Sequence, residues 1–313
     1  MGSSKILQTL IAALAVVALA VGCSSAPDPP DYEVATKNRA SQLAEYGNAH
    51  FATGDYEMAR RFFEQALQEN ISVDNLPGIA TSQNSLARVY GITGNFPEAT
   101  ARAELALEFA RIADDQEQEM QAHINLGEIA MRTDDTAGAQ AAFEAARRIA
   151  EGRDSSPDPI LLHNLGTAYA RTGDLEQARE YFNQARSRNE EAANWQELAS
   201  NYYMLASLAS RSGDYETAQT LAESALEADK KAEYAPGIAA DLFALGKIRE
   251  RRSDDEDAYQ YYLRALRVYL TVNDARGSAE VLAELEATAT RLDRRDEAEE
   301  FAAQRSRILE AIQ

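Results

Sequence analysis

The sequence predicts an all-α chain, an α-solenoid of about seven helix pairs with a 40-residue period. Three observations carry that expectation. An alanine recurs at Ala59, Ala99, Ala139, Ala178, Ala218, Ala258 and Ala298, in steps of 40, 40, 39, 40, 40 and 40 residues. A second alanine follows seven residues later in the first six units, at Ala66, Ala106, Ala146, Ala185, Ala225 and Ala265, which puts it on the same helix face. Aromatic residues make up only 8% of the chain while alanine is abundant, a composition that suits closely packed helices and offers little to a sheet.

The unit is clearest between residues 162 and 185. Leu165-Gly166 and Tyr169 mark a first helix, Gly173 breaks the chain, and Ala178, Phe182 and Ala185 mark a second. Glycine takes the left-handed backbone between two helices without a Cβ penalty. The alanines let the helices approach, and Phe182 fills the space between them. This pattern resembles the tetratricopeptide repeat. The resemblance implies a right-handed solenoid whose first helices line a concave groove that contacts ligand peptides. The commonest unit of that family has about 34 residues, so about six are added per unit here. Longer helices are the expected use of them, as in the longer variants that include peptide-sensing bacterial regulators.

The chain opens with residues 1–22, a secretory leader with one positive residue, Lys5, and an apolar run over 6–21 that is short for a membrane span. Ala20-Val21-Gly22-Cys23 resembles a bacterial lipobox, with Ala20 where that motif prefers leucine. The resemblance implies that Cys23 becomes the lipidated first residue of the mature protein, and Ser24 after it implies sorting to the outer membrane. An ordinary leader followed by an unmodified thiol is the alternative. Residues 23–33, with Pro27, Pro29 and Pro30, predict an extended tether.

The solenoid is expected over 34–313. Repeat one carries Gly47, Gly54, Ala59 and Phe63, and repeat two Leu86-Ala87, Tyr90 and Gly94, with Pro77 placed for a helix first turn. Repeat three has Leu126-Gly127 and Phe143 but Asp134 where the turn glycine stands elsewhere. A turn-rich interval over 151–159 suggests a hinge, yet the 39-residue step across it keeps the register. Repeats five and six follow with Gly213 and Ser253 at their turns. The last unit, 274–313, replaces small or apolar positions with Glu286, Arg295 and Arg305, as a solenoid end facing water requires.

Several functions are disfavoured. The net charge is −20, and loss of a leader containing only Lys5 leaves about −21, opposite to a nucleic-acid footprint. Cys23 is the only cysteine, so one chain holds no disulfide and no thiolate metal site. His50, His123 and His163 fall in different first helices and form no metal-ligand pattern. No nucleophile elbow, phosphate loop or dinucleotide fingerprint is present. No enzyme, cofactor or metal is therefore expected.

The groove that the resemblance implies supplies the candidate binding residues. Counted back from the marker alanines, its stripes contain Asn84, Arg88, His163, Tyr203, Phe243 and Lys247, with Asn125 and Asn164 beside them. Seven residues before the marker stand Arg132, Arg171, Arg211, Arg251 and Arg291. These arginines either offset the dipole at the end of their own helix or form a ladder that reads carboxylates of a partner. Tyr203 and Phe243, beside Asn125, His163 and Asn164, would form its apolar centre. The expected protein is an outer-membrane, periplasm-facing lipoprotein scaffold that binds a protein or peptide partner, in cell-envelope or pilus assembly. An accessory subunit for cell-wall or polysaccharide chains and a peptide-sensing regulator are the alternatives.

Overall fold

The computed structural model describes residues 31–153 and 157–312, and every regular element among them is an α-helix. The leader, Cys23 and the prolines after it lie outside these residues. Among the described residues, fourteen helices form seven pairs. The first helices are α1 (Asp31–Ala52), α3 (Leu76–Ile92), α5 (Gln116–Arg132), α7 (Pro159–Thr172), α9 (Trp195–Arg211), α11 (Ala235–Arg251) and α13 (Ala275–Arg291). The second helices are α2 (Tyr56–Ser72), α4 (Phe96–Ile112), α6 (Thr136–Gly152), α8 (Leu175–Ala192), α10 (Tyr215–Lys231), α12 (Asp255–Thr271) and α14 (Arg295–Ala311). None of them is long and apolar enough to cross a membrane.

The 40-residue unit is two 17-residue helices and two three-residue turns, so the added residues do lengthen the helices. Asp31–Glu33, expected in the tether, instead open α1, where Asp31 and Glu33 complement the positive end of the helix dipole. The turn inside each pair contains one left-handed residue: Gly54, Gly94, Asp134, Gly173, Gly213, Ser253 and Asp293. Asp134 therefore adopts the backbone that its place in the repeat demands. Among the described residues, five of the turns between pairs have a left-handed residue too, and there it is Asp74, Asp114, Ala193, Glu233 or Asn273 rather than glycine.

Aspartates start many of these helices. Asp55, Asp115, Asp135, Asp158, Asp174, Asp214, Asp254 and Asp274 each accept a backbone N–H of the first turn. One such cap contributes about 1 kcal/mol. Part of the acidic excess is thus helix-capping chemistry.

Each of the first six pairs closes on the residue sixteen positions after a notch in its first helix. Gly47 faces Phe63, Gly127 faces Phe143, Gly166 faces Phe182 and Gly246 faces Tyr262, and a Cβ on any of these glycines would run into the ring. At Gly166 the clash distance would be 2.7 Å. Where the notch is alanine, at Ala87 and Ala206, the opposing residue is also alanine, Ala103 and Ala222, and all four are buried.

The interval over 151–159 does not interrupt the core. Phe143 and Ala146 before it pack in one cluster with Leu161, Leu162, Leu165 and Tyr181 after it. Across the same junction Tyr169 and Tyr181 donate to Glu144 Oε1 at 3.0 and 2.9 Å, and Arg147 adds a bond at 2.9 Å. Burial alone would raise Glu144, but Arg147 and the two phenols hold its carboxyl below the usual range. At the far end α14 buries only Ala298 and Phe301, and Arg305 pairs with Glu286 at 3.0 Å, which makes the last pair a polar cap.

Ala178, fully buried where α8 meets its neighbours, offers a test of the packing. Ala178→Phe should destabilise the protein by about 1–3 kcal/mol through overpacking. Urea unfolding followed by circular dichroism measures it, and an unchanged midpoint would contradict the assigned contact.

Candidate functional site

First helices of adjacent pairs touch one another from α1 to α11, whereas no two second helices among the described residues come comparably close. The array therefore bends with its first helices on the inner side. Hollows follow one another along that face. One of 220 Å³ is lined by Phe51, Arg88, Asn125, Glu128 and Arg132. The next shares Glu128 and Arg132 and adds Asn164 and Thr167. Farther along, His163, Asn189, Ser200 and Asn201 line one hollow, and Ser200 is shared with another of 270 Å³ that contains Tyr203, Asp229 and Asp241.

Asn84 and Asn125 are not open to a ligand, each being 2% exposed. Their amides join neighbouring repeats. Asn125 Nδ2 donates to Asn84 Oδ1 at 2.9 Å, and Asn84 Nδ2 donates to the carbonyl of Gln118 at 3.0 Å. His163 likewise meets Asn201 Oδ1 at 3.0 Å, and its burial lowers the imidazole pKa. These polar residues align successive first helices.

The arginines do something that neither expectation described. Arg132 donates to the carbonyl of Gly91 at 3.0 Å, Arg171 to Met131 at 3.0 Å and Arg211 to Ala170 at 3.5 Å. Each guanidinium thus caps the C-terminal carbonyls of the preceding first helix, forty or so residues back, rather than its own. Arg291 departs from the pattern and pairs with Glu250 and Asp255, both at 2.8 Å. Arg251 is exposed, and its side chain has no hydrogen bond or ion pair among the described residues.

Of the remaining candidates, Arg88 lies over the Phe51 ring at 4.5 Å. Glu128 keeps contact with water yet is surrounded by protein on the concave side, which raises its carboxyl against the opposing effects of Arg132, Arg88 and a bond from Asn164. Lys247 bridges Glu250 at 3.1 Å and Glu284 at 3.0 Å. Phe243 is half-buried and packed against the core on Tyr262, with ring centroids 5.6 Å apart, while Tyr203 stays open. The proposed aromatic centre is therefore not formed: Asn125, His163 and Tyr203 line three different hollows.

Sequence reasoning missed Asp229 and Asp241, a buried acidic pair twelve residues apart at the junction of the fifth and sixth pairs. Their repeat equivalents are Asn70 with Ser82, Ala110 with Ala122, Ala150 with Leu161, Asn189 with Asn201 and Tyr269 with Val281. Polar faces polar and apolar faces apolar in most of these junctions. Aligning the residue eleven after each marker alanine would have exposed the pair.

The chain matches tetratricopeptide repeat profiles over residues 39–112, 118–191 and 158–231, and over 203–269. These matches span most of the protein, and it belongs to the tetratricopeptide repeat family. No curated protein matches it by sequence. Among solved structures it resembles the apo quorum sensor NprR from B. thuringiensis, with a TM-score of 0.68 and 16% identity over 89% of this chain and 77% of that one. It resembles apo RapI at 0.69, with 14% identity over 86% and 76%. Pseudomonas aeruginosa pilF superposes at 0.57, with 18% identity over 80% and 99%. NprR has also been solved in complex with its cognate peptide NprX. At these identities the likeness is one of fold.

The amide ladder makes a direct prediction. Asn125→Ala leaves Asn84 Oδ1 buried without its donor and should cost about 1–3 kcal/mol of stability. Thermal unfolding reads this, and a loss below about 0.5 kcal/mol, the range of ordinary surface changes, would contradict the role given to the ladder.

Proposed function

We propose that this protein is a lipid-anchored scaffold of the bacterial envelope, held at the outer membrane through Cys23, that binds a peptide segment of a protein partner along its concave face. The observation that carries the binding reading is the run of hollows along the first helices, flanked by partly free polar groups at Arg88, Glu128, Asn164 and Tyr203. Stacked repeats generate such extended concave surfaces, and an inner face bends around a segment rather than a point. The complex of NprR with NprX supports the reading by likeness of fold. The pilF likeness adds a further protein of the same fold.

The anchor reading rests on the lipobox-like run ending at Cys23. Stable attachment needs more than one acyl chain, which lipoprotein processing supplies. No cofactor and no catalytic step belong to this function. An accessory role on polysaccharide would need stacked open aromatics along the groove, and Phe243 is half-buried against the core instead.

A photocrosslinking residue at Arg88 or Thr167, on the concave side, should capture a defined partner in cells, whereas one at Glu104 on α4 should not. Equal capture from both sides would contradict the groove. The wild-type protein should fractionate with the outer membrane carrying acylated Cys23, and Cys23→Ser should be released. Unmodified Cys23 in a soluble wild-type protein would contradict the anchor.

A further inference from the structure

The junction of the fifth and sixth pairs buries two carboxyl groups against each other. Asp229 on α10 is 4% exposed and Asp241 on α11 is 2% exposed. Both line the 270 Å³ hollow, and Asp229 Oδ1 and Asp241 Oδ2 have no hydrogen-bond partner. The fold does not need acids there, because amides at Asn189 and Asn201 or methyl groups at Ala110 and Ala122 close the equivalent junctions. Gly237 keeps the site open, since a Cβ at this position would collide with Asp229.

No base answers the two acids. The titratable groups around them are Tyr203 on α9 and Tyr234 before α11, which line the hollow, and Tyr269 on α12, which interacts with Asp241; Asp274 and Glu280 at the start of α13 lie beyond, against Tyr269. All are acidic or neutral. Lys231 lies near in sequence but sits over the Trp195 ring at 4.7 Å and pairs with Glu227 at 3.1 Å. Burial raises both carboxyl groups, and the charge of Asp229 adds to the effect at Asp241, so the pair retains a proton that separate aspartates would release.

We propose that this hollow is a receptor for one organic cation, the guanidinium or ammonium head of an Arg or Lys side chain on the segment bound along the concave face. The inference rests on the reading of that face as a binding groove and assigns it a specificity subsite. The N–H groups of the head meet Asp229 Oδ1 and Asp241 Oδ2, and the shared proton leaves to solvent as the cation enters. Tyr203 and Tyr234, each 38% exposed, stand at the rim, where their ring faces attract the cation and cover its aliphatic stem. A metal ion fits less well, because no cluster of three or more His, Cys, Asp or Glu ligands exists among the described residues.

Calorimetry with the full-length protein tests this with three capped probes, acetyl-Gly-Arg-Gly-amide, its Lys counterpart and its Gln counterpart. The Arg or the Lys probe, or both, should bind at least about tenfold more tightly than the Gln probe. Comparison of the two names the head group. Binding should release protons and tighten from about pH 5.5 to about pH 8.5, as displacement of a retained proton requires. Asp229→Asn/Asp241→Asn should abolish the preference. Equal affinity for all three probes, or an undiminished preference in the double variant, would overturn the proposal. The comparison in wild-type protein decides the matter without a variant.

The unliganded protein supplies a second readout. Both native pKa values are raised, so the native state binds more protons than the unfolded chain above the ordinary aspartate range of about 4. This pair's contribution to stability is therefore fully present below that range and is lost as pH rises through the raised values. The double Asn variant should unfold with a flatter pH dependence, and an unchanged profile would overturn the shared-proton account. Failure of the concave crosslinks with intact probe binding would refute the groove and spare the cation site, and the converse would do the opposite.

Discussion

Closing a helix pair depends on one steric match: a residue with no side chain on the first helix, set against a ring on the second. Gly166 can lie under Phe182 only because it has no Cβ, and the ring in turn fills what would otherwise be a void. Where alanine replaces glycine at Ala87 and Ala206, the ring is gone and Ala103 or Ala222 takes its place. Both solutions let the two helices approach without a collision, and the first six pairs use one or the other. Regular stacking over the seven pairs of the described residues builds on that close approach.

Stacking then fixes the inner face. Amides join Asn84 to Asn125, an imidazole joins His163 to Asn201, and arginines reach back to the carbonyl ends at Gly91, Met131 and Ala170. These polar links lie on the first helices, along the side where those of adjacent pairs meet. Rigid positioning of a concave surface is what a binding scaffold needs, because a preorganised groove loses less freedom when a segment settles into it. The acidic pair at Asp229 and Asp241 breaks the otherwise neutral pattern of the junctions, which is why it stands out as chemistry rather than architecture.

The fold was legible because its determinants are local and repeated. The marker alanines, the turn glycines and the notch residues each recur at a fixed period, and Asp134 and Ser253 could be placed in left-handed turns by register alone. The turns between pairs were not legible: Asp74, Ala193 and Glu233 share a backbone conformation but no side-chain chemistry. The candidate site was read only in part. Register placed Asn84, Asn125 and Phe243 on the correct helices, but whether a side chain faces solvent or a neighbouring repeat depends on a contact about forty residues away. Arg132 illustrates the point, since its partner is the carbonyl of Gly91, and a carbonyl leaves no trace in sequence. The acidic pair was hidden among the many acids that the composition supplies.

A double-mutant cycle on Gly166 and Phe182 probes the steric match that the whole account rests on. Gly166→Ala should cost about 1–3 kcal/mol by overpacking, and Phe182→Ala about 3–5 kcal/mol by cavity formation. The double variant recreates the alanine solution found at Ala87 with Ala103, so its loss should fall short of the sum by about 0.5–3 kcal/mol. Any gain in helix propensity from replacing glycine is common to both backgrounds and cancels. Losses that add within about 0.3–0.5 kcal/mol would mean that the two positions do not share one volume, and the steric match would be contradicted.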